Sequence, residues 1–287
     1  MALDPPLSWP GGKRKHAEAL VERVLQHLQP SGRYIEPFLG AGAVALAMPP
    51  GTPMILGDAC LPLGHLWWWL QREPEAISEY AAGYGLVMNN TGWNTRERYG
   101  LLRKEHKAEP FSVTDWRPSA RFLWLMRACF NGIYRENKDG VFNVPWGARE
   151  RIAMPTAADL RAIADHIATA DIRPGWDFED VMTEARPGDV IFTDPPYHGG
   201  KAAFTGYVKG TFERWNGVEA TAQVRLAQVS YDAVARGATV IMTNADTPFI
   251  RELYTGWQFD AIVEDRPVAA QPRARKSAHC VIVTGRW

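Results

Sequence analysis

Between Asp189 and Tyr197 the chain runs through Val190, Ile191, Phe192 and Thr193 into Asp194, Pro195, Pro196 and Tyr197. A short apolar run ending in a carboxylate and two prolines predicts a buried strand whose C-terminal tip carries a rigid loop. Open α/β sheets place their chemistry at such strand tips. The fold expected is therefore α/β, with a functional site at this loop.

The four residues at the tip suit one task, holding an aromatic amine while its nitrogen attacks an electrophile. The lone pair of such an amine is delocalised into its ring, so a catalyst must accept the amine hydrogens and favour a pyramidal nitrogen. Asp194 and the carbonyl of Pro195 can supply those acceptors, because a residue followed by proline is held extended. Tyr197 offers a face on which a base can stack. The plainer alternative is a strand followed by an ordinary turn at Pro195 and Pro196.

Composition sets outer limits. With 287 residues, 46% of them apolar, the chain can bury a substantial core in one large domain or two smaller ones. No N-terminal basic and apolar signal is visible and no apolar run reaches ~18 residues, which predicts a soluble cytoplasmic protein. Cys60, Cys129 and Cys280 lack paired spacing, which argues against a disulfide framework or a zinc site, and no metal is expected. Lys plus Arg is 32 and Asp plus Glu is 32, so any nucleic-acid surface must be local.

Near the N-terminus, Ser8, Trp9, Pro10, Gly11, Gly12 and Lys13 form a turn that leads into a helix. The glycines allow close approach of backbone to a ligand, and Lys13 at the helix start can meet a carboxylate or phosphate. A flexible lead-in is the alternative. The stretch from Arg33 through Glu36, Pro37, Phe38, Gly40 and Gly42 to Leu46 reads as a short strand, a two-glycine turn and a helix, the first βα unit of a nucleotide-type fold. Asp58 closes the next strand, Met54 to Asp58, at a spacing that suits a carboxylate on ribose hydroxyls. A third glycine is missing, which is tolerable for a ligand without pyrophosphate.

From about residue 60 to 130 the periodicity is helical. Trp67, Trp68 and Trp69 are assigned to packing, and the mixed-charge stretch from Arg96 to Lys107 to a solvated helix face. Ser119 to Phe130 reads as a buried helix. It leads into a hairpin, about residues 130–147, signalled by Asp139 and Gly140. The hairpin has the size to enter a DNA major groove, where Arg135 can read guanine and an asparagine can read adenine. The alternative is a surface hairpin whose asparagines close its turn.

Taken together, these segments resemble the Dam-type family of DNA adenine-N6 methyltransferases, the alpha group that carries Asp-Pro-Pro-Tyr. The resemblance rests on Trp9 to Lys13, Glu36 to Gly42, Asn131 to Gly147 and Asp194 to Tyr197, in the family's order. It implies a Rossmann-like S-adenosylmethionine-dependent methyltransferase sheet, with a catalytic domain of residues 1–59 and 152–287. A mostly helical target-recognition domain containing the β-hairpin would occupy residues 60–151.

The resemblance further implies that Trp9, Gly11, Gly12, Lys13, Glu36, Pro37, Phe38, Gly40 and Gly42 surround the methionine end of S-adenosylmethionine. Asp58 would hold its ribose, and Asp177 with Phe178 its adenine. Asp194, Pro195, Pro196 and Tyr197 would grip a target adenine flipped out of double-stranded DNA, because its amine is inaccessible within the stack. Methyl transfer would be direct, with no metal and no covalent enzyme intermediate.

DNA would be met by Ser8, Phe130, Asn131, Gly132, Ile133, Arg135, Asn137, Asn143 and Pro145, with Phe130 either a wedge in the vacated space or a core residue. Lys201, in a loop over the active site that reads equally as plain surface, and Arg273, Arg275 and Lys276, in a basic proline-punctuated loop whose alternative is a disordered surface loop, are expected on phosphates, the second in preference to its alternative because the balanced overall charge leaves few other basic patches. Many GATC-modifying members carry Lys where this chain has Ser8, and Glu136 puts a negative charge into the hairpin, so a relaxed or altered site preference is expected. A monomer, or a transient dimer on DNA, would suffice. Rival readings are methylation of the cytosine amine, methylation of RNA, and a non-catalytic DNA-binding module of the same fold.

The last segments complete the sheet. Val218 to Arg236 and Asp246 to Tyr254 read as helices and Ala238 to Asn244 as a buried strand. Phe259 to Val263 and His279 to Thr284 form an antiparallel pair at the sheet edge.

Overall fold

A computed structural model describes residues 3–91, 95–108, 111–137, 139, 141–149, 152–198, 221–264 and 278–286. Lys201, Arg273, Arg275 and Lys276, and the loops that carry them, lie outside the described residues, as do residues 218–220 at the start of one expected helix.

One seven-stranded sheet organises the fold. Its strands are β1 (Tyr34–Glu36), β2 (Met54–Asp58), β3 (Asp171–Pro174), β4 (Val190–Thr193), β5 (Thr239–Ala245), β6 (Gln258–Glu264) and β7 (Ala278–Gly285). In space they run β3, β2, β1, β4, β5, β7, β6. The first five are parallel; β7 enters antiparallel between β5 and β6, which is the expected terminal hairpin. The result is a mixed α/β, Rossmann-like sheet.

Strand residues alternate between two cores, as the two-residue period of a pleated strand requires. Tyr34, Met54, Leu56, Val190, Phe192, Ile241 and Ile282 face one core, which also contains buried residues of α1 (Ala17–Leu25), α2 (Leu61–Leu70), α5 (Arg117–Ala128) and α6 (Ala157–His166). Ile35, Ile55, Ile191, Val240, Met242, Val281 and Val283 face the other, beneath α7 (Phe178–Thr183), α8 (Thr221–Ala235) and α9 (Pro248–Leu253). Helices on both faces explain why the parallel strands read as near-continuous apolar runs. Two residues beyond Tyr34, Leu56, Phe192 and Ile241, which all face the first core, the alternation places Glu36, Asp58, Asp194 and Thr243 on that same face toward the strand tips.

Between β2 and β3 the chain forms α2, α3 (Pro74–Thr91), α4 (Thr95–Ala108) and α5, then the hairpin, then α6. Thr156 starts α6 with a capping box, accepting from the Asp159 N–H while the Asp159 side chain accepts from the Thr156 N–H. The tryptophans at 67 and 69 are buried as expected, and α2 lies against β2 and β3.

One expectation fails here. The glycine turn after β1 opens into a single 3₁₀ turn, Ala45–Ala47, instead of a helix. Pro49 and Pro50 follow at once, and a residue before proline is driven to extended backbone; Met48 has ψ of 151°. The strand β3 and the helix α6 went unread in the sequence.

Candidate active site

The loop from Asp194 to Tyr197 begins where β4 ends, and the alternation of β4 turns Asp194 to the same face as Phe192. Lys13 reaches it from the other end of the chain: its Nζ lies 3.0 Å from Asp194 Oδ1, donates to the Gly11 carbonyl at 2.9 Å and sits 5.0 Å from the centre of the Tyr197 ring. Lys13 is only 6% exposed, so this ion pair is shielded from solvent. Thr243, from the neighbouring strand β5, donates its hydroxyl to the same Asp194 oxygen at 2.5 Å. Both contacts fall on Oδ1, and Oδ2 takes part in neither.

Two further carboxylates stand at the tips of β1 and β2. Glu36 is buried and accepts from the Tyr34 hydroxyl at 2.8 Å. Burial drives its carboxyl well above the usual range, the Tyr34 bond works against that rise, and the charges of Asp194 and Asp58 add to it. Asp58 accepts from the Gly40 N–H at 2.8 Å and from the Cys60 N–H at 2.8 Å. Burial still outweighs these donors and lifts its carboxyl from 3.8 to about 6.

The glycine turn is packed between indoles. Trp67 donates to the Gly40 carbonyl at 2.9 Å. A side-chain carbon on Gly42, at φ 71°, would stand 2.7 Å from the Trp67 ring, and one on Gly40, at φ 52°, would meet Trp9 at 3.0 Å. Only glycine satisfies both the left-handed backbone and the space. Pro37 is buried and Phe38 stacks on Phe178 at 5.4 Å. Asp177 caps α7 by accepting from the Glu179 N–H and pairs with Arg225 at 2.8 Å. Phe178 itself is buried, with Arg225 4.9 Å from its ring.

Trp9 joins this region to the hairpin by stacking on Tyr134 with ring centres 6.3 Å apart. The exposed Ser8 packs against Gly132, where an added side-chain carbon would lie 3.1 Å from Ser8 Cβ. The hairpin is closed by bridges between Cys129 and Trp146 and between Glu136 and Phe142. Phe130 is 51% exposed and is not a core residue. Asn131 beside it holds φ of 55°, an uncommon conformation that asparagine tolerates. Pro145 is exposed, Ile133 is half-buried, and the Pro145 carbonyl accepts from the Phe130 N–H at 2.9 Å.

The asparagines serve the hairpin. Asn137 Oδ1 accepts from the N–H groups of Asp139 and Val141, each at 3.0 Å, and so closes the turn. Asn143 Oδ1 accepts from Arg135 Nε at 2.8 Å and aims that exposed guanidinium. Glu136 accepts from the Tyr134 hydroxyl at 2.5 Å, which accounts for an acidic residue in this hairpin.

Sequence reasoning missed Gln223, Thr243 and Asn244. Gln223 Nε2 donates to the Pro196 carbonyl at 2.8 Å, and Asn244 Oδ1 accepts from the His198 N–H at 3.1 Å. The polar pair Thr243 and Asn244 ending a buried strand was the available signal. Among the described residues, no group of three or more His, Cys, Asp or Glu is placed to hold a metal ion, and no helix is long and apolar enough to cross a membrane.

A family model described as D12 class N6 adenine-specific DNA methyltransferase matches residues 9–269. A DNA adenine methylase of Vibrio cholerae is 30% identical over 94% of this chain and 91% of its own length. The type II methyltransferase M1.LlaDCHI of Lactococcus lactis is 27% identical over 98% of this chain and 95% of its own. A DNA N-6-adenine-methyltransferase of Escherichia phage P1 is 32% identical over 96% of this chain, which spans 34% of that longer protein.

Proposed function

Since the chain belongs to the D12 class N6 adenine-specific DNA methyltransferases, we propose that it methylates a flipped-out adenine at GATC or a relaxed related site, with S-adenosylmethionine as donor. The observation that carries this reading is the pairing of the half-buried Asp194 with the buried Lys13 beside Tyr197. Lys13 and Thr243 fix one oxygen of Asp194. The second oxygen and the Pro195 carbonyl then accept the two amine hydrogens, drawing the nitrogen lone pair out of the ring. Tyr197 stacks on the base.

The donor suits the residues at the strand tips. Burial and mutual repulsion hold the Glu36 and Asp58 carboxyls toward their neutral forms, and a cationic ligand beside them would favour their ionisation and be held more tightly for it. S-adenosylmethionine supplies, when bound, a methyl group on a positively charged sulfur. Glu36, Gly40, Gly42 and the Trp9 to Lys13 turn would surround its methionine end, Asp58 its ribose, and Asp177 with Phe38 and Phe178 its adenine. The buried Phe178 ring supports an indirect part, through Phe38 and the start of α7, more than a face for the base.

The target-recognition segment proposed for residues 60–151 would meet double-stranded DNA through the hairpin. Phe130 would fill the space left by the flipped base, with Asn131, Gly132, Ile133 and Pro145 shaping its base and Arg135 reading a guanine. Asn137 and Asn143 would act by holding the turn and aiming Arg135. The protein would act as a monomer or transient dimer, in a bacterial cytoplasm or in that of a phage-infected host.

The test is transfer of labelled methyl groups from S-adenosylmethionine into unmethylated duplex DNA, with duplex RNA as the control, followed by mapping of the modified sequences. Label in DNA at a defined context is expected; label in RNA alone would overturn the reading. Arg135→Ala should lower discrimination against sites with one wrong base by about tenfold to a hundredfold, the worth of one bidentate guanine contact at ~1–3 kcal/mol. Cofactor affinity should not change. An unaltered site preference would remove Arg135 from the reading of bases.

A further inference from the structure

The loop that carries the catalytic carboxylate is held at alternate residues from two sides of β5. On one side Thr243 donates to Asp194 Oδ1 at 2.5 Å. On the other, Gln223 of α8 donates to the Pro196 carbonyl at 2.8 Å, and its own Oε1 accepts from Asn244 Nδ2 at 3.1 Å. Asn244 Oδ1 completes the set by accepting from the His198 N–H at 3.1 Å and from the Ala245 N–H at 2.8 Å. The His198 ring is fixed in turn, with Nδ1 3.1 Å from Thr247 Oγ1 and its centre 4.7 Å from that of Phe249.

These anchors are unusual in their burial. Thr243 and Asn244 are 0% exposed and Gln223 is 3% exposed. An uncharged polar group placed so deep costs stability unless it is bonded, and apart from the Ala245 N–H these bonds run to the loop or to a side chain that holds it. Residues 194, 196 and 198 are tied down. The Pro195 carbonyl is taken by none of these anchors, and the Tyr197 side chain lies between two fixed points of backbone. That is the pattern a loop needs if 195 and 197 are to face a substrate in a fixed orientation.

We propose that Thr243, with Asn244 and Gln223, positions the Asp194 to Tyr197 loop for methyl transfer: Thr243 sets the rotation of the Asp194 carboxylate, and the amide pair sets the backbone that presents Pro195 and Tyr197. The inference rests on the reading of Asp194 as the catalytic carboxylate. Thr243 and Lys13 share Oδ1, so the carboxylate cannot turn without losing both bonds, and Oδ2 is thereby held for the amine. A charged acceptor makes the Thr243 bond one of the stronger kind.

The test compares Thr243→Val, which keeps shape and removes the hydroxyl, with Thr243→Ser, which restores it. Thr243→Val should lower kcat by about tenfold to a hundredfold, the scale of a small misplacement at a reacting centre. The KM for S-adenosylmethionine and the Kd for DNA should stay within about twofold, and Thr243→Ser should recover most of the rate. Equal loss in Thr243→Val and Thr243→Ser, or loss accompanied by weakened binding of both ligands, would mean a merely structural role and overturn the inference. Should Thr243→Val not fold, Gln223→Met carries the same test through Pro196, again with kcat reduced and both affinities kept. Asp194→Ala in the same assay separates the two claims: full activity there defeats the reading of the site, whereas an inactive Asp194→Ala beside a fully active Thr243→Val defeats only the positioning role.

Discussion

Replacing Asp194 by Ala is expected to reduce methyl transfer by a factor on the order of 10²–10⁴, the usual contribution of a positioned group that accepts protons from a reacting centre. The fold should persist, because Asp194 lies at the tip of β4 outside both hydrophobic cores. Its removal takes the Asp194 carboxylate away from the Lys13 ammonium, which is 6% exposed. Taking one carboxylate away from a buried charge is costly, so a modest drop in thermal stability is expected alongside the loss of rate. Lys13→Met should partly reverse that drop in the Asp194→Ala background without restoring activity. Normal turnover by Asp194→Ala, measured at saturating DNA and cofactor, would remove the central residue of this account.

The second large effect concerns stability and pH. His106 is 8% exposed, and its ring lies 5.4 Å from that of Phe111, 5.9 Å from Phe122 and 6.2 Å from Phe142. Burial first, and the nearby Arg121 charge second, bring its pKa down from 6.5 to about 4. Above pH 6.5 the imidazole is neutral in both the folded and the unfolded chain and contributes no pH dependence. As pH falls from 6.5 to about 4 the unfolded chain takes up the proton and the folded one does not, so stability is lost across that window. The gap corresponds to roughly 3 kcal/mol. Urea unfolding of the wild type at pH 7.5, 5.5 and 4.5, against His106→Phe, should show the difference between the two narrowing and then reversing in favour of the variant. Parallel pH profiles would mean that His106 is not held neutral.

The strand tips were legible because their chemistry is local. An apolar run, a carboxylate and two prolines specify β4 and its loop without reference to any other part of the chain, and the same holds for β1, β2 and the terminal antiparallel pair. β3 was not legible: Asp171, Ile172, Arg173 and Pro174 contain one apolar residue, and as an edge strand β3 buries only that one. The misread helix after Gly42 shows a competing rule winning, since Pro49 and Pro50 stop the chain within one turn. In the hairpin, spacing could suggest asparagines as base readers, yet the turn used Asn137 and the guanidinium of Arg135 used Asn143.

The contacts between distant segments were not legible at all. Lys13 and Asp194 are far apart in the chain, and only the order of strands brings them to one ion pair. Thr243 meets Asp194 because β4 and β5 are parallel neighbours in a register that pairs Phe192 with Ile241 and Thr193 with Met242. The next pair in that register is Asp194 and Thr243. No periodicity within either strand could reveal it.

The chemistry assigned to this site is methylation of the exocyclic amine of adenine. It is tested most directly by incubating the protein with S-adenosylmethionine and unmethylated genomic DNA, digesting the DNA to nucleosides and identifying the methylated ones by mass spectrometry. N6-methyladenosine in its deoxy form, absent from a parallel Asp194→Ala reaction, is the predicted result. N4-methylated deoxycytidine in its place, or unmodified DNA from a protein shown to bind the cofactor, would contradict the account.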